Sequence, residues 1–454
     1  MLRSDNQQTS PSWSRQKEIR HCGNDLALSP RVIDPKPWAS KQKAPNDWFK
    51  FYAGFNHEFA HRLLTSSGPN ARIADPWNGS GATTTAAAAA GLTCQGFDLN
   101  PAMIVVGRSR LASGAVVATA AQKIAKMSFL RVNSDAVRVQ KDDPLLQWFM
   151  PQSVESLRII EQTIGEFVSR RKLLSRDALL AVATSRPLGC MLYVALFHTV
   201  RLLAEPFRAS NPTWLQVPRS RARLRPSSET ICQLFKKSVA SIAAASKDGP
   251  PIEPKQKSTV SWGSSTALPL DDGSIDLIVT SPPYCTRLDY AVATATDLAV
   301  LGVGGEAYKQ LRRTLLGTTT VPRTIDSPPD IWGKICRTLL EKVGAHQSKA
   351  SKTYYTKSLY QYFQGLFQSI QEMQRVTKCG ARCYVVVQDS YYKEIHVDLA
   401  GIVTEMALSS GFDFEAAWDF SHSQTYSGLN PHTQQYRSRR FPLETVVYLK
   451  RITR

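Results

Sequence analysis

Two periodicities of apolar residues alternate along the chain, and together they predict an α/β fold. Short apolar runs typical of buried strands occur at 71–75, 93–97, 258–262, 275–279 and 381–387. Between them lie stretches with apolar residues three and four positions apart, as in the helical stripe of 359–373. Strands that alternate with helices predict a mostly parallel sheet. The runs 412–420 and 443–449 predict an antiparallel strand pair at its C-terminal end.

A turn with two prolines follows the predicted strand 275–279. Because proline has no backbone N–H, Pro282 and Pro283 stop the strand ladder. The turn therefore offers carbonyl oxygens, the Ser281 hydroxyl and the Tyr284 ring at the carboxyl end of a strand, where open α/β sheets bind ligands. These groups predict a pocket that stacks a flat, amino-bearing ring and hydrogen-bonds its amine. The alternative is a proline turn that only ends a buried strand.

A glycine-containing turn connects the predicted strand 71–75 to an alanine-rich helix. Gly79 and Gly81 allow the backbone to approach a ligand closely. Asp75 precedes this turn, and Asp98 ends the next strand, 17 residues beyond Gly81. An acidic residue in that position can accept hydrogen bonds from both hydroxyls of a ribose. The combination predicts a nucleoside-type cofactor, whereas a turn without a ligand would not need Asp98. The turn is not a P-loop, because no Gly-Lys-Ser/Thr follows it.

The composition indicates a globular protein with a polyanionic partner. The 454 residues are 43% hydrophobic and carry a formal net charge of +19. Such a charge favours nucleic acid as partner over an anionic membrane surface, although a basic surface kept only for solubility is the simpler alternative. The eight cysteines form no paired metal-ligand spacing, so no metal site is expected. We expect neither a signal segment nor a membrane span, and therefore a cytoplasmic protein of the prokaryotic cytosol or nucleoid.

The changes of pattern predict four regions. Residues 1–45 are expected to form a flexible basic tail, and 46–124 the cofactor-binding first part of the sheet domain. Residues 125–257 are expected to form a large helical insertion, which is the first candidate for DNA recognition. Residues 258–454 form the catalytic second part, within which 286–355 is a second candidate for a DNA-contacting insertion.

A run of arginines lies in the helical insertion, at Arg219, Arg221, Arg223 and Arg225. Arginines at every second position share one face only if the segment is extended. An extended basic rail would suit contacts with DNA phosphates. A solvated arginine surface explains the run almost equally well.

The two turns resemble those of S-adenosylmethionine-dependent DNA amino-methyltransferases, especially the cytosine-N4 type with its Ser-Pro-Pro-Tyr motif. The matching segments are Asp75-Pro76-Trp77-Asn78-Gly79-Ser80-Gly81 and Thr280-Ser281-Pro282-Pro283-Tyr284. The resemblance covers roughly 48–110 and 258–451 and leaves the helical insertion out. It departs from the family in three respects. Trp77 replaces the usual Phe, and Gly263-Ser264-Ser265 stands where many relatives carry an acid that contacts the adenine amine. The cofactor turn also precedes the catalytic turn with a long insertion between them, an order that does not fit the usual permutation classes of the family.

The resemblance implies a Rossmann-like methyltransferase sheet and a site-specific DNA methyltransferase. S-adenosylmethionine would be the cofactor, double-stranded DNA the partner, and N4 of a flipped cytosine the methyl acceptor, with a cognate restriction or defence partner. The implied catalytic residues are Ser281, Pro282, Pro283 and Tyr284. The implied cofactor-binding residues are Phe55, Asp75, Trp77, Gly79, Ser80, Gly81, Asp98 and Leu99.

Three alternatives stay open from the sequence. Ser rather than Asp at position 281 favours cytosine over adenine N6, the nearest alternative acceptor. An RNA guanine-N2 methyltransferase is a further alternative, because related Pro-Pro-Tyr motifs occur there. The last is a non-catalytic, DNA-binding methyltransferase-like subunit of a defence system, which the intact cofactor residues disfavour.

Overall fold

The structure is a computed structural model. It describes residues 17–21, 32–36, 48–49, 54–129, 138–169, 186–209, 215–247, 257–285, 289–421 and 443–452.

An eight-stranded sheet forms the centre of the fold, in the order β1-β9-β10-β6-β5-β2-β3-β4. The strands β4, β3, β2, β5 and β6 run parallel, whereas β10 is antiparallel to β6 and β9, and β1 is antiparallel to β9. The predicted mostly parallel, Rossmann-like sheet with its antiparallel C-terminal end is therefore confirmed. Strands β7 and β8 form a separate hairpin. The strands are β1 (Lys17–His21), β2 (Arg72–Asp75), β3 (Thr93–Asp98), β4 (Thr259–Trp262), β5 (Ile275–Thr280), β6 (Thr377–Gln388), β7 (Ser390–Tyr392), β8 (Ile395–Val397), β9 (Phe412–Ser421) and β10 (Leu443–Arg451).

The order of the strands reverses between β2 and β5. From β2 the sheet continues outward through β3 and β4, and from β5 it continues in the opposite direction through β6. The connections on the two sides therefore diverge at this point and leave a crevice at the carboxyl ends of the strands. Both turns identified in the sequence, after β2 and after β5, open into this crevice.

Helices cover both faces of the sheet. Alternation along β5 sends Leu277 and Val279 to the face covered by α1 and α2, and Ile278 to the face covered by α11, α12 and α13. The helices are α1 (His57–Thr65), α2 (Ala82–Ala89), α3 (Pro101–Ser109), α4 (Gly114–Lys126), α5 (Pro151–Ser169), α6 (Pro187–Leu203), α7 (Ser228–Lys247), α8 (Tyr290–Ala293), α9 (Ala295–Val300), α10 (Gly305–Thr314), α11 (Lys334–Ala345), α12 (Thr356–Val376) and α13 (Leu399–Ser409).

The helical insertion packs directly against the sheet domain. Helices α5, α6 and α7 share one hydrophobic cluster with α3, α9 and Val260 of β4. Arg158 of α5 strengthens this junction, since it pairs with Asp143 and donates to the carbonyl oxygens of Ala299 and Val300. Among the described residues no single helix has the length and apolar character of a membrane span, although α3 and α4 together, bent by 105°, would meet those two criteria.

Two described segments of the predicted tail pack against the sheet domain. Residues 17–21 form β1, which adds to the open edge of β9. Residues 32–36 pack beside the N-terminal end of α1. An edge strand offers unpaired N–H and C=O groups to any segment that reaches it. A segment without apolar periodicity can therefore join the sheet through its backbone alone.

Candidate functional site

A cavity of about 320 Å³ lies at the carboxyl ends of β2, β3 and β5. Its walls contain the glycine turn after β2, the end of β3, the proline turn after β5, and residues of α12 and of the segment 313–318. Of the predicted site residues, those that line the cavity are Phe55, Asp75, Trp77, Gly79, Ser80, Asp98, Leu99, Ser281, Pro282, Pro283 and Tyr284. Gly81 does not line it and instead caps α2 with a left-handed φ of 88°.

Asp98 closes the glycine turn through backbone hydrogen bonds. Its Oδ2 accepts from the Gly79 N–H at 3.0 Å, and its Oδ1 accepts from the Asn100 N–H at 2.8 Å. Gly79 has φ 49°, a left-handed conformation that favours glycine. Each carboxylate oxygen has two acceptor sites, so both oxygens retain capacity for a further donor. Asp98 is thus held in place without being saturated.

Asp75 connects the two turns of the site. Its Oδ1 accepts from the Trp77 N–H at 3.1 Å and from the Thr280 hydroxyl at 2.5 Å. Thr280 immediately precedes the proline turn, so a single carboxylate oxygen fixes the start of both turns. Burial raises the pKa of Asp75 to about 6, although the hydrogen bonds from Thr280, Thr83 and Trp77 oppose that shift.

The Asp98 carboxyl has a raised pKa as well. Burial and the nearby charge of Asp75 raise this pKa, the backbone hydrogen bonds from Asn100 and Gly79 lower it, and the net result is a pKa of about 6. Near neutral pH this carboxylate is ionised. Its protonation state therefore changes in mildly acidic solution, where an ordinary aspartate would stay charged.

Asn78 is a structural residue of the glycine turn that the sequence analysis did not identify. It is buried, and its Oδ1 accepts from the Thr84 hydroxyl at 3.0 Å. A Cβ added to Gly96 would lie 2.3 Å from that Oδ1, and one added to Gly107 would lie 2.9 Å from Nδ2. The side chain thus needs the space left by two glycines, one in β3 and one in α3. Gly96 and Gly107 are not adjacent in sequence, so no local pattern could identify this requirement.

Two tyrosines hold the proline turn in place. The Tyr290 hydroxyl accepts from the Tyr284 N–H at 2.8 Å, and the Tyr362 hydroxyl donates to the Pro283 carbonyl at 2.7 Å. Within the described part of the chain, neither the Ser281 hydroxyl nor the Pro282 carbonyl has a hydrogen-bond partner. The turn therefore presents two unused acceptors at the wall of the cavity, while the Tyr284 N–H and the Pro283 carbonyl help to hold its shape.

Lys36 lies beside Tyr284, a position that the sequence analysis did not predict. The ammonium nitrogen lies 3.4 Å from the Tyr284 hydroxyl oxygen and 2.9 Å from Glu444 Oε1. Burial is the largest single influence on the pKa of Lys36 and lowers it, but the charges of Glu444 and Tyr284 and the hydrogen bonds to them together outweigh burial, so the pKa lies above its ordinary value. Burial raises the pKa of Glu444, and the Lys36 charge opposes that shift. We infer an ion pair of Lys36 and Glu444 beneath the turn. Lys36 stands alone in a polar segment of the sequence, with no pattern around it to reveal this contact.

Several further residues of the cavity wall are polar. Ser264 and Ser265 follow β4, and the Ser265 hydroxyl is hydrogen-bonded to Ser369 at 2.8 Å. Gln361 of α12 also lines the cavity, and its buried Oε1 has no hydrogen-bond partner among the described residues. Arg313 lines the wall from α10 and is paired with Glu306 at 3.2 Å.

The arginine run does not form the expected extended rail. Residues Ser220–Ala222 form a short 3-10 helix, and Arg223 turns back to donate to the carbonyl oxygens of Ser220 and Leu146. Arg219, Arg221 and Arg225 are exposed, and none of the four arginines lines the cavity. The expectation of one extended face is wrong, because carbonyl groups of the insertion attract the third arginine. Contact with DNA stays a prediction for the three exposed arginines.

Sequence comparison finds similarity to Type II methyltransferases over part of the chain. The chain is 32% identical over 152 residues to the Type II methyltransferase M.AvaI of Nostoc sp., a match that spans 31% of each protein. It is 44% identical over 54 residues to the Type II methyltransferase M.BsoBI of Geobacillus stearothermophilus, over 12% of this chain and 11% of that protein. The matched stretches thus span less than a third of these relatives. No family profile matches the chain.

Comparison with solved structures finds a SAM-dependent methyltransferase of Methanosarcina mazei. The alignment covers 86% of this chain and 98% of that one, with 10% sequence identity and a TM-score of 0.29. At that TM-score, the strand order described above, rather than the likeness, establishes the fold.

Proposed function

We propose that this protein is a site-specific DNA methyltransferase that transfers a methyl group from S-adenosylmethionine to the exocyclic N4 amine of a cytosine. One observation carries the proposal: Asp98 with its glycine turn and the Ser281–Tyr284 turn line the same cavity. A site for a nucleoside and a site for an amino-bearing ring are thus adjacent. Transfer of a group between two bound molecules requires such proximity.

The residues of the first wall fit the proposed cofactor. Asp98 retains acceptor capacity for two ribose hydroxyls, and Gly79 brings the backbone to the cavity without a side chain in the way. Trp77 and Phe55 supply aromatic surface for the rest of the molecule. S-adenosylmethionine, when bound here, supplies an electrophilic methyl group.

The residues of the second wall would hold the substrate. The unused acceptors on Ser281 and Pro282 can accept hydrogen bonds from the two protons of an exocyclic amine and so orient the nitrogen lone pair. Tyr284 would stack on the ring, a contact worth about 1–3 kcal/mol by analogy with base–aromatic stacking. The work of the chain is then positioning and electrostatic stabilisation rather than strong general-base catalysis.

A nucleobase in a duplex reaches this cavity only after it has been flipped out of the helix, which costs a few kcal/mol. The net charge of +19 favours the phosphate contacts that offset this cost. The partial similarity to Type II methyltransferases supports DNA as the substrate and S-adenosylmethionine as the methyl donor. Ser281, in place of the acid of adenine enzymes, supports cytosine over adenine.

The test is methyl transfer to unmethylated bacterial genomic DNA. Purified protein is incubated with isotope-labelled S-adenosylmethionine, and the nucleosides of the digested DNA are quantified by mass spectrometry. We expect labelled N4-methylcytosine. Labelled N6-methyladenine alone would assign the enzyme to the adenine class. A protein that binds no S-adenosylmethionine in calorimetry and transfers no methyl group would favour the non-catalytic alternative.

A further inference from the structure

Lys36 lies beneath the proline turn and has no role in the function proposed above. The residue is 4% exposed, and its ammonium nitrogen lies 2.9 Å from Glu444 Oε1, 3.1 Å from Gln388 Oε1 and 3.4 Å from Tyr284 Oη. These three acceptors match the three N–H donors of a lysine ammonium group. Removal of a charge from water is unfavourable unless such partners compensate it. The site thus contains a buried cation that its neighbours are arranged to hold.

The ammonium group meets the hydroxyl edge of Tyr284 rather than the face of its ring. The nitrogen is 3.4 Å from the hydroxyl oxygen but 5.5 Å from the ring centroid. A cation above the ring would be about as close to the centroid as to the oxygen. Lys36 therefore donates a hydrogen bond to the phenol and does not cover the ring, which stays available for stacking.

The backbone of Lys36 is fixed as firmly as its side chain. Asn56, which caps α1, donates its side-chain N–H groups to the carbonyl oxygens of Asp34 and Lys36 at 2.9 and 2.7 Å. Its backbone N–H donates to the Pro35 carbonyl at 2.7 Å. The segment 32–36 is thus attached to the helix that packs on the sheet beside β5. Because both the backbone and the ammonium group of Lys36 are held in place, the residue can restrict the movement of the Tyr284 side chain.

We propose that Lys36 is a positioning residue for Tyr284. Its ammonium group, anchored by Glu444 and Gln388, fixes the phenol and thereby the plane of the ring on which the flipped base stacks. The proposal rests on the proposed function, because it assumes that Tyr284 stacks on a nucleobase. A displacement of about 1 Å at a reacting centre can slow a reaction by up to about 10²-fold. The position of the Tyr284 ring therefore affects the rate of methyl transfer.

The first test is a double-mutant cycle on the rate of methyl transfer. Wild type, Lys36→Met, Tyr284→Phe and the double variant are compared in single-turnover methylation of genomic DNA at saturating cofactor. We expect each single variant to be slower by about ten-fold with unchanged cofactor affinity. We expect the double variant to be no slower than the slower single variant, because Tyr284→Phe already removes the hydrogen bond that Lys36→Met removes, together with the one from the Gly54 backbone. Losses that multiply, or a Lys36→Met variant with the wild-type rate, would overturn the proposal.

The second test is the same cycle on the unfolding equilibrium in urea, without cofactor or DNA. A direct contact makes the unfolding constants of the two single variants non-multiplicative, by about three-fold or more. Independent effects of the two substitutions on the unfolding constant would show that Lys36 and Tyr284 do not interact. If the wild type transferred no methyl group to any DNA, the proposed function would fail, while this cycle would still decide whether Lys36 holds Tyr284.

A matched variant covers the case in which Lys36→Met does not fold. Loss of the lysine removes one member of a buried ion pair with Glu444, which is strongly destabilising. The variant Lys36→Met/Glu444→Gln removes both charges and serves as the background in which Tyr284→Phe is introduced. The expected non-additivity, and the outcome that overturns it, are the same as above.

Discussion

The two walls of the cavity are held in place by different means. On the cofactor wall, Asp98 accepts hydrogen bonds from the backbone of Gly79 and Asn100, so that residues within about twenty positions of one another hold the site. On the substrate wall, the proline turn depends on the neighbouring Tyr290 and on side chains from Tyr362 and Lys36, which come from distant parts of the chain. The contacts of Asp98 are thus encoded locally, whereas the substrate wall is assembled by the whole fold. Substitutions should therefore separate cofactor binding from catalysis.

The largest effect on cofactor affinity is expected from Asp98→Ala. The change removes the carboxylate proposed to hold both ribose hydroxyls, and each charge-assisted hydrogen bond contributes about 1.5–3 kcal/mol. Calorimetry should register a loss of cofactor affinity of about 10²-fold or more. Asp98→Asn, which keeps an acceptor but no charge, should lose less than Asp98→Ala. An unchanged cofactor affinity in Asp98→Ala would show that Asp98 does not bind the cofactor.

Tyr284→Ala should show the opposite behaviour. Loss of about 1–3 kcal/mol of stacking should slow methyl transfer by about 5- to 150-fold, and cofactor affinity should stay near its wild-type value. Single-turnover kinetics and calorimetry measure the two quantities separately. A parallel loss of cofactor binding would mean that the turn is a structural support of both walls, and the contrast between them would disappear.

The raised pKa values of the acids predict opposite pH dependences of affinity and stability. Below about pH 6, Asp98 becomes protonated and loses acceptor capacity, so cofactor affinity should fall by up to about ten-fold per pH unit. The folded-state pKa values of Asp75 and Asp98 lie above the ordinary value of 3.8, so the uncharged forms favour the folded state. The stability of the cofactor-free protein should therefore fall as pH rises from about 4 through 6.

Calorimetry and urea unfolding between about pH 4 and pH 8 test both trends. Asp98→Asn, which does not titrate, is the matched control and should bind the cofactor with little dependence on pH. If the cofactor affinities of wild type and Asp98→Asn change with pH in the same way, the pH dependence arises from a group other than Asp98.

The smallest effects are expected for the arginines that would contact DNA. Arg313 lines the cavity, whereas Arg219, Arg221 and Arg225 lie away from it. Arg313→Ala should weaken DNA binding a few-fold and reduce the slope of log K against log salt by about one, the value for one phosphate contact. Neutralising the other three together should weaken binding and flatten the slope as well. An unchanged slope in that triple variant would assign the run to the solvated surface.

The sequence predicts the locally encoded parts of the molecule. The strands β2 to β6, β9 and β10 and the convergence of Asp75, Asp98 and Tyr284 on one cavity follow from short-range patterns and from parallel-sheet geometry. The contacts of Lys36 and the space for Asn78 depend on residues far apart in the chain, so no window of sequence contains them. The bent path of the arginine run has the same cause, because the Leu146 carbonyl that binds Arg223 lies far from it in sequence.

The pairing of Lys36 with Glu444 has a consequence for the biosynthesis of the protein. Roughly 400 residues separate the two partners, and at about 5–20 residues per second the ribosome needs about 20–80 s to add them. The hydrogen bonds of Asp98 can form long before that, since their partners Gly79 and Asn100 lie close to it in the chain. The ion pair beneath Tyr284 cannot form until β10 has left the ribosome. A nascent chain would therefore make the contacts of Asp98 early and complete its substrate wall only after β10 has been synthesised.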